Sequence, residues 1–391
     1  MRIITDNPEL ERHLSRMHDL IVSNGGFVHE EFVMDARNGD LRGKAPQSLP
    51  EGDLLISVPD PLLLPIDGFG LHLNGDEVCL GTPAAEITPL QIELMEAMAA
   101  IYNLSGKIQQ HRKTSPTRIY LERPDVYERI VLGQQLKSRS DNQDEEFVLS
   151  DFIGTRKFGM KTEGKEDARH SVLMPLIDFL NHHQGASGFV LKDDALMVYR
   201  RSPIEGSDEC FVSYARMDAQ IAYVNYGFVD LAATYALSVP LKITLPGVVD
   251  IQVNRAPGAV RKRPIPPALK NIQRFVPRII IDVEKKTVAL SSLSIPDAKA
   301  PRALRRILMS FLVNFVRSLP PDQVQNLLIE AERQILDANR TYYKELIAYV
   351  SALDLPDELQ QIVNEAAVMA RHQLGIIDAY EVNIARLGPN A

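Results

Sequence analysis

Met174-Pro175-Leu176-Ile177-Asp178-Phe179-Leu180-Asn181-His182 reads as an apolar, strand-like run that ends in three polar groups spaced Asp-x-x-Asn-His. Polar side chains buried at the end of such a run need a reason, because a polar group without a partner away from water costs stability. One reading is a strand end at which Asp178 and Asn181 cap the next turn while His182 is satisfied in the core. The other makes the cluster a binding site. A metal centre is disfavoured, since Asp178, His182 and His183 have no fourth ligand nearby in the sequence.

Outward from this run, Gly188 to Tyr199 and Glu209 to Tyr214 are also strand-like, and Phe211-Val212-Ser213-Tyr214 leads through a helical turn into Asn225-Tyr226-Gly227-Phe228. Aromatic residues at this density suit a core when taken alone. Towards the amino end, Asn7-Pro8 and the spacing of Leu10, Leu14, Met17 and Ile21 predict a helix closed by Gly25-Gly26. Small strands follow to about Leu64. Thr88-Pro89-Leu90-Gln91 is a capping box that opens a helical block, and the polar stretch Ser138 to Glu146 has loop composition. Beyond Asp230, Tyr235 to Val253 and Phe275 to Leu290 are β-like. Leu304, Leu308, Phe311, Leu312 and Phe315 then begin a helical third that continues through Val324 to Val350 and Asp357 to Leu387.

The chain has 391 residues, 45% of them hydrophobic and 24% charged, enough for a substantial core and two domains. A formal charge of −8 argues against a globally basic nucleic-acid binder. Within that average, Arg255 to Arg278 contains Arg261-Lys262-Arg263 and Lys270 and no acid, which suits a solvated loop or a dock for an acidic protein. Two cysteines, Cys79 and Cys210, cannot build a disulfide framework and point to a reducing, cytoplasmic setting. No apolar run reaches the roughly 18 to 20 residues of a membrane helix. Phosphate-binding glycine loops, the Gly-x-Ser-x-Gly elbow and the His-Glu-x-x-His helix are all missing from the sequence.

The order Asp-x-x-Asn-His, then Tyr214, then Gly227-Phe228 resembles the SET methyltransferases of the Rubisco large-subunit lysine methyltransferase and actin-histidine methyltransferase branch. Weaker similarities are Ser23-Asn24-Gly25-Gly26, Gly39-Asp40-Leu41-Arg42-Gly43 ahead of Val58-Pro59, and Thr155-Arg156-Lys157-Phe158. Met217-Asp218-Ala219-Gln220-Ile221 departs from the family's Ser-Asn-Ala-Glu. The resemblance implies an α+β chain: a β-rich SET domain over 1–235 with a helical insert at about 86–146, a β-rich basic connector over 236–295, and a helical substrate-binding domain over 296–391.

It also implies an S-adenosylmethionine-dependent N-methyltransferase that acts on a protein side chain, lysine by preference, and releases S-adenosylhomocysteine. Tyr214 would be the catalytic phenol. Arg42, Arg156, Asp178, Asn181, His182 and Phe228 would serve the cofactor, and Phe158 and Tyr226 the acceptor, with no metal. The alternatives are a histidine or small-molecule acceptor, or a SET-like binding protein without turnover.

Overall fold

The computed structural model describes residues 1–131, 144–161, 169–201, 207–254, 265–297, 300 and 302–387. The α-helices are α1 (Pro8–Ser23), α2 (Pro89–Leu104), α3 (Lys107–Thr114), α4 (Thr117–Glu122), α5 (Pro124–Val131), α6 (Asp144–Gly154), α7 (Ala219–Tyr226), α8 (Ala303–Leu312), α9 (Pro321–Ser351) and α10 (Asp357–Leu387). Contacts divide the chain into two compact units. The first holds Met1–Thr117 and the described residues from 144 to 216; the second holds residues 118–131 and 217 onward.

Short strands and the early helices build the first unit. Asn7 caps α1 by accepting from the amides of Glu9 and Leu10, and Leu14, Met17 and Ile21 bury the expected face. The Thr88–Gln91 capping box is formed at the start of α2, which packs on α1. Leu54–Pro59 is one of the two inner strands of a four-stranded sheet, flanked by Phe27–Val28 and by the hairpin Val190–Lys192/Ala195–Tyr199. Asp193 and Asp194 both take positive φ in that hairpin's two-residue turn, the geometry that matches the twist of the paired strands. Val33–Asp35 pairs parallel with Arg2–Ile4 and antiparallel with Arg42–Lys44. A third sheet runs Leu64–Pro65, Arg169–Leu173, Phe158–Lys161.

In the second unit, Leu241–Leu245, Val249–Asn254, Thr287–Ser291 and Arg278–Asp282 form one sheet in that order. The inner strand Val249–Asn254 alternates in burial, with Val249, Ile251 and Val253 inward. These side chains share one core with Phe311 of α8, Ile335 and Tyr343 of α9, and Met369, Ala370 and Tyr380 of α10. The carboxy-terminal helices thus owe their stability to tertiary burial rather than to propensity alone.

Three local expectations need correction or restriction. Leu173 to Leu180 is not a strand, because pairing ends at Leu173 and a 3₁₀ turn occupies Ile177–Phe179. Glu209 to Tyr214 pairs only through isolated bridges. Helix α6 begins at Asp144, inside the stretch read as a loop, whose residues 138–143 lie outside the described residues. So do residues 255–264, including the basic Arg261-Lys262-Arg263.

Candidate functional site

The Asp-x-x-Asn-His motif sits on a strained reversal. Leu176 has φ +65° and ψ −43°, and the amide of Ile177 donates to the Pro175 carbonyl at 2.8 Å, a γ-turn of the disfavoured hand. A leucine held there costs on the order of 1–3 kcal/mol, and persists because burial of Leu176, Ile177 and Phe179 over-determines it. A straight strand would have alternated Asp178 and Asn181 between two faces. The reversal instead sends Asp178 to one set of partners and Asn181-His182 to another.

Asn181 and His182 run beside Cys210 to Tyr214. The Val212 amide donates to the Asn181 carbonyl at 2.9 Å, and the His183 amide donates to the Val212 carbonyl at 3.1 Å. Tyr214 is fastened at two points, its amide donating to His182 Nδ1 at 3.0 Å and its hydroxyl donating to the Leu180 carbonyl at 2.7 Å. Acceptance at Nδ1 leaves the proton of a neutral His182 ring on Nε2. The phenol of Tyr214, its proton committed to a carbonyl, keeps lone pairs that can accept a hydrogen bond.

Asn181 Nδ2 donates to Glu209 Oε1 at 2.6 Å. Burial pushes the Glu209 carboxyl up, against the pull of Asn181 and Arg42. The strand bearing Arg42 lies close by: the Cys210 amide donates to the Gly43 carbonyl at 2.7 Å, and a Cβ on Gly43 would lie 2.3 Å from Leu180 Cδ2. A larger residue there would force the buried Leu180 and Phe32 side chains to shift.

Asp178 accepts the Tyr102 hydroxyl at 2.8 Å and lies 3.5 Å from Arg156 Nε. Burial raises the Asp178 carboxyl, while Arg156, Tyr102 and Lys107 favour its charged form. The Arg156 guanidinium stacks 3.8 Å above the Phe152 ring, and its Nη1 donates to Thr155 Oγ1 at 2.6 Å. Its Nε is buried and makes no hydrogen bond among the described residues. Arg42 is exposed and donates to Asp40 at 2.7 Å, and Lys107 Nζ approaches the other oxygen of Asp40 at 3.6 Å.

The first unit therefore holds these residues in three polar groups: Arg42 and Lys107 on Asp40, Arg156 and Tyr102 on Asp178, and Asn181, His182 and Tyr214 with Glu209 and the Leu180 carbonyl. Phe158, in the same unit, packs edge-on against Phe189 with centroids 5.7 Å apart. Tyr226 and Phe228 belong to the second unit, at the end of α7, with ring centroids 6.1 Å apart. Gly227 between them takes φ +76° and closes the helix.

The departing segment Met217 to Ile221 is a structural hub of that unit. Asp218 accepts from the amides of Ile221 and Leu237 and from Gln373, and Gln220 bonds the Ile130 carbonyl and the Tyr343 hydroxyl.

Sequence reasoning passed over Tyr102, Lys107 and Glu209. Tyr102 fits the apolar stripe of α2 and looks like core, its hydroxyl partner being 76 residues away. Lys107 is an unremarkable lysine after a Ser-Gly, and Glu209 opens a strand-like run in which nothing sets it apart. No local signal marks them.

Among the described residues no group of His, Cys, Asp and Glu side chains could hold a metal ion, and no helix is long and apolar enough to cross a membrane. No protein-family model and no curated protein sequence matches the chain. Solved structures similar to it include the SET domain of LSMT bound to lysine and AdoHcy, at 12% identity, 97% and 94% coverage of the two chains and a TM-score of 0.38. Rubisco LSMT bound to AdoMet is similar at 10% identity, 97% and 92% coverage and a TM-score of 0.37.

Proposed function

We propose that this chain is an S-adenosylmethionine-dependent N-methyltransferase of the SET type that modifies a protein side chain, lysine by preference. The observation that carries the reading is the double attachment of Tyr214 to the Asp-x-x-Asn-His turn, through His182 Nδ1 and the Leu180 carbonyl. A catalytic phenol needs that kind of fixed position, because proximity and orientation are most of what such a reaction requires.

The methyl donor, when bound, supplies an electrophilic methyl on a sulfonium centre. The residues present suit it on one point of geometry: the buried Arg156 Nε has no hydrogen-bond acceptor among the described residues, and a carboxylate is the natural complement of a guanidinium. Arg156 would take the carboxylate, Asn181 and His182 the adenine and amino-acid portions, and Phe228 the adenine face. Arg42 would be a further contact from its loop. Asp178, enclosed by Tyr102 and Arg156, would position Arg156 rather than touch the donor.

On the acceptor side, fewer than about one lysine in a thousand is neutral near neutral pH, so the site must favour loss of that proton. Desolvation does so. The Tyr214 oxygen would accept a hydrogen bond from the amine and aim its lone pair. Phe158 with Phe189 offers an apolar wall for a lysine stem, which favours lysine over histidine, and Tyr226 would line the channel. The basic run Arg255 to Arg278 would face an acidic region of the substrate protein, and a cytoplasmic site of action goes with a chain of two cysteines.

Calorimetric titration with S-adenosylmethionine tests the donor, and labelled transfer to candidate proteins followed by mass spectrometry locates the acceptor atom. Absence of binding at millimolar donor sinks the proposal. Tyr214→Phe should lower kcat by at least about a hundredfold and leave donor affinity within about twofold. An unchanged rate would refute the role of Tyr214.

A further inference from the structure

Lys107 is an odd lysine. It is the first residue of α3, where a positive charge opposes the helix dipole, and its side chain is only 12% exposed although lysine is rarely buried. Neither helix propensity nor solvation accounts for its position. Its Nζ lies 3.6 Å from Asp40 Oδ1, yet the other oxygen of Asp40 already binds Arg42 at 2.7 Å. Asp178, which also acts on the Lys107 charge, is shared with Arg156 at 3.5 Å. Lys107 thus has one close carboxylate, which it shares with Arg42. Lys44, further out, is held by Asp35 at 3.4 Å and Asp208 at 3.2 Å, and Glu209 acts on the Arg42 charge.

The geometry points to Lys107 as a second cation of the donor's amino-acid subsite, sharing with Arg156 the carboxylate of the bound ligand, an inference that rests on the methyl-donor reading above. A ligand carboxylate brings an anion to the Lys107 ammonium, whose one close carboxylate is shared, and the acceptor that the buried Arg156 Nε lacks among the described residues. Burial and the Arg156 charge hold the Lys107 ammonium below the usual lysine range, and a bound ligand anion opposes both effects. Asp40 would act as the tether that keeps Lys107 turned inward in the meantime.

The test is calorimetric and needs no turnover. Wild type, Lys107→Met and Lys107→Arg are titrated with S-adenosylhomocysteine and with its decarboxylated analogue, which lacks only the carboxylate. Lys107→Met should weaken S-adenosylhomocysteine by at least about tenfold and the analogue by less than about twofold, with Lys107→Arg recovering most of the loss. Binding of the analogue also shows that the variant is folded. Equal losses for both ligands, or no loss for either, overturn the assignment of Lys107 and leave the methyl-donor reading standing. Wild type that binds neither ligand overturns both.

Discussion

Arg156–Asp178–Tyr102 in the first unit and Arg305–Glu332–Tyr380 in the second are built from the same parts: an arginine, a buried carboxylate and a tyrosine hydroxyl. In the second set, Arg305 Nε lies 3.0 Å from both oxygens of Glu332, Nη2 lies 2.8 Å from one of them, and the Tyr380 hydroxyl donates to the same carboxylate. In the first set the nearest approach of arginine to carboxylate is 3.5 Å, outside hydrogen-bond range, and Arg156 Nε makes no hydrogen bond among the described residues. A buried ion pair offsets its desolvation only when the geometry is close and the remaining donors are satisfied. The second set meets that condition and joins α8, α9 and α10. The first does not, and a site that stays short of an acceptor is suited to receive one.

The comparison can be broken most directly through stability. Arg305→Met strands Glu332 in the core and should cost about 3–5 kcal/mol, read as a fall in the urea midpoint at unchanged slope. Arg156→Met removes a pair that is not closed and should cost about 1–2 kcal/mol, while donor affinity measured by calorimetry drops by about tenfold or more. If the two variants lose equal stability, the distinction between a closed and an open pair fails.

The smallest effect sharpens the comparison by its sign. Burial raises the Asp178 carboxyl above its ordinary value of 3.8, with Arg156 opposing. The folded state therefore binds more protons than the unfolded one above that pH, and stability from this group is greatest below it and declines as pH rises through the folded value. Asp178→Asn should gain on wild type as the pH rises above about 4 in urea unfolding.

Asp35, held by Arg37 at 2.8 and 2.6 Å, is lowered to about 2, and here the sign reverses. Its contribution is present above about pH 4 and is lost as the solution approaches pH 2, so the penalty of Asp35→Asn should shrink on acidification. Parallel pH profiles for the two variants would contradict both assignments.

Much of the secondary structure is legible from local chemistry. Asn7-Pro8 and Thr88-Pro89-Leu90-Gln91 announce α1 and α2 because caps satisfy amides within three residues of the capping side chain. The alternation in Val249–Asn254 and the long stripes of α9 and α10 are likewise visible, since periodicity reports the buried face. Met174 to Leu180 misleads for the same reason. An apolar run says that it is buried, not whether it is straight, and the positive φ of Leu176 is imposed by packing against intrinsic preference.

The sequence by itself determined the α+β character, the starts of α1 and α2 and the helical carboxy-terminal third, all matters of spacing along the chain, while Asp178, Asn181, His182 and Tyr214 were singled out by the family resemblance. Only the tertiary structure decided that Tyr214 is tied to His182 and Leu180, that Asp178 belongs with Tyr102 and Arg156, and that Lys107 is turned inward towards Asp40. These contacts join residues more than twenty positions apart. Which of many polar side chains meet is settled by how the apolar surfaces around them pack, because burial is what makes a short polar contact, or the lack of one, matter.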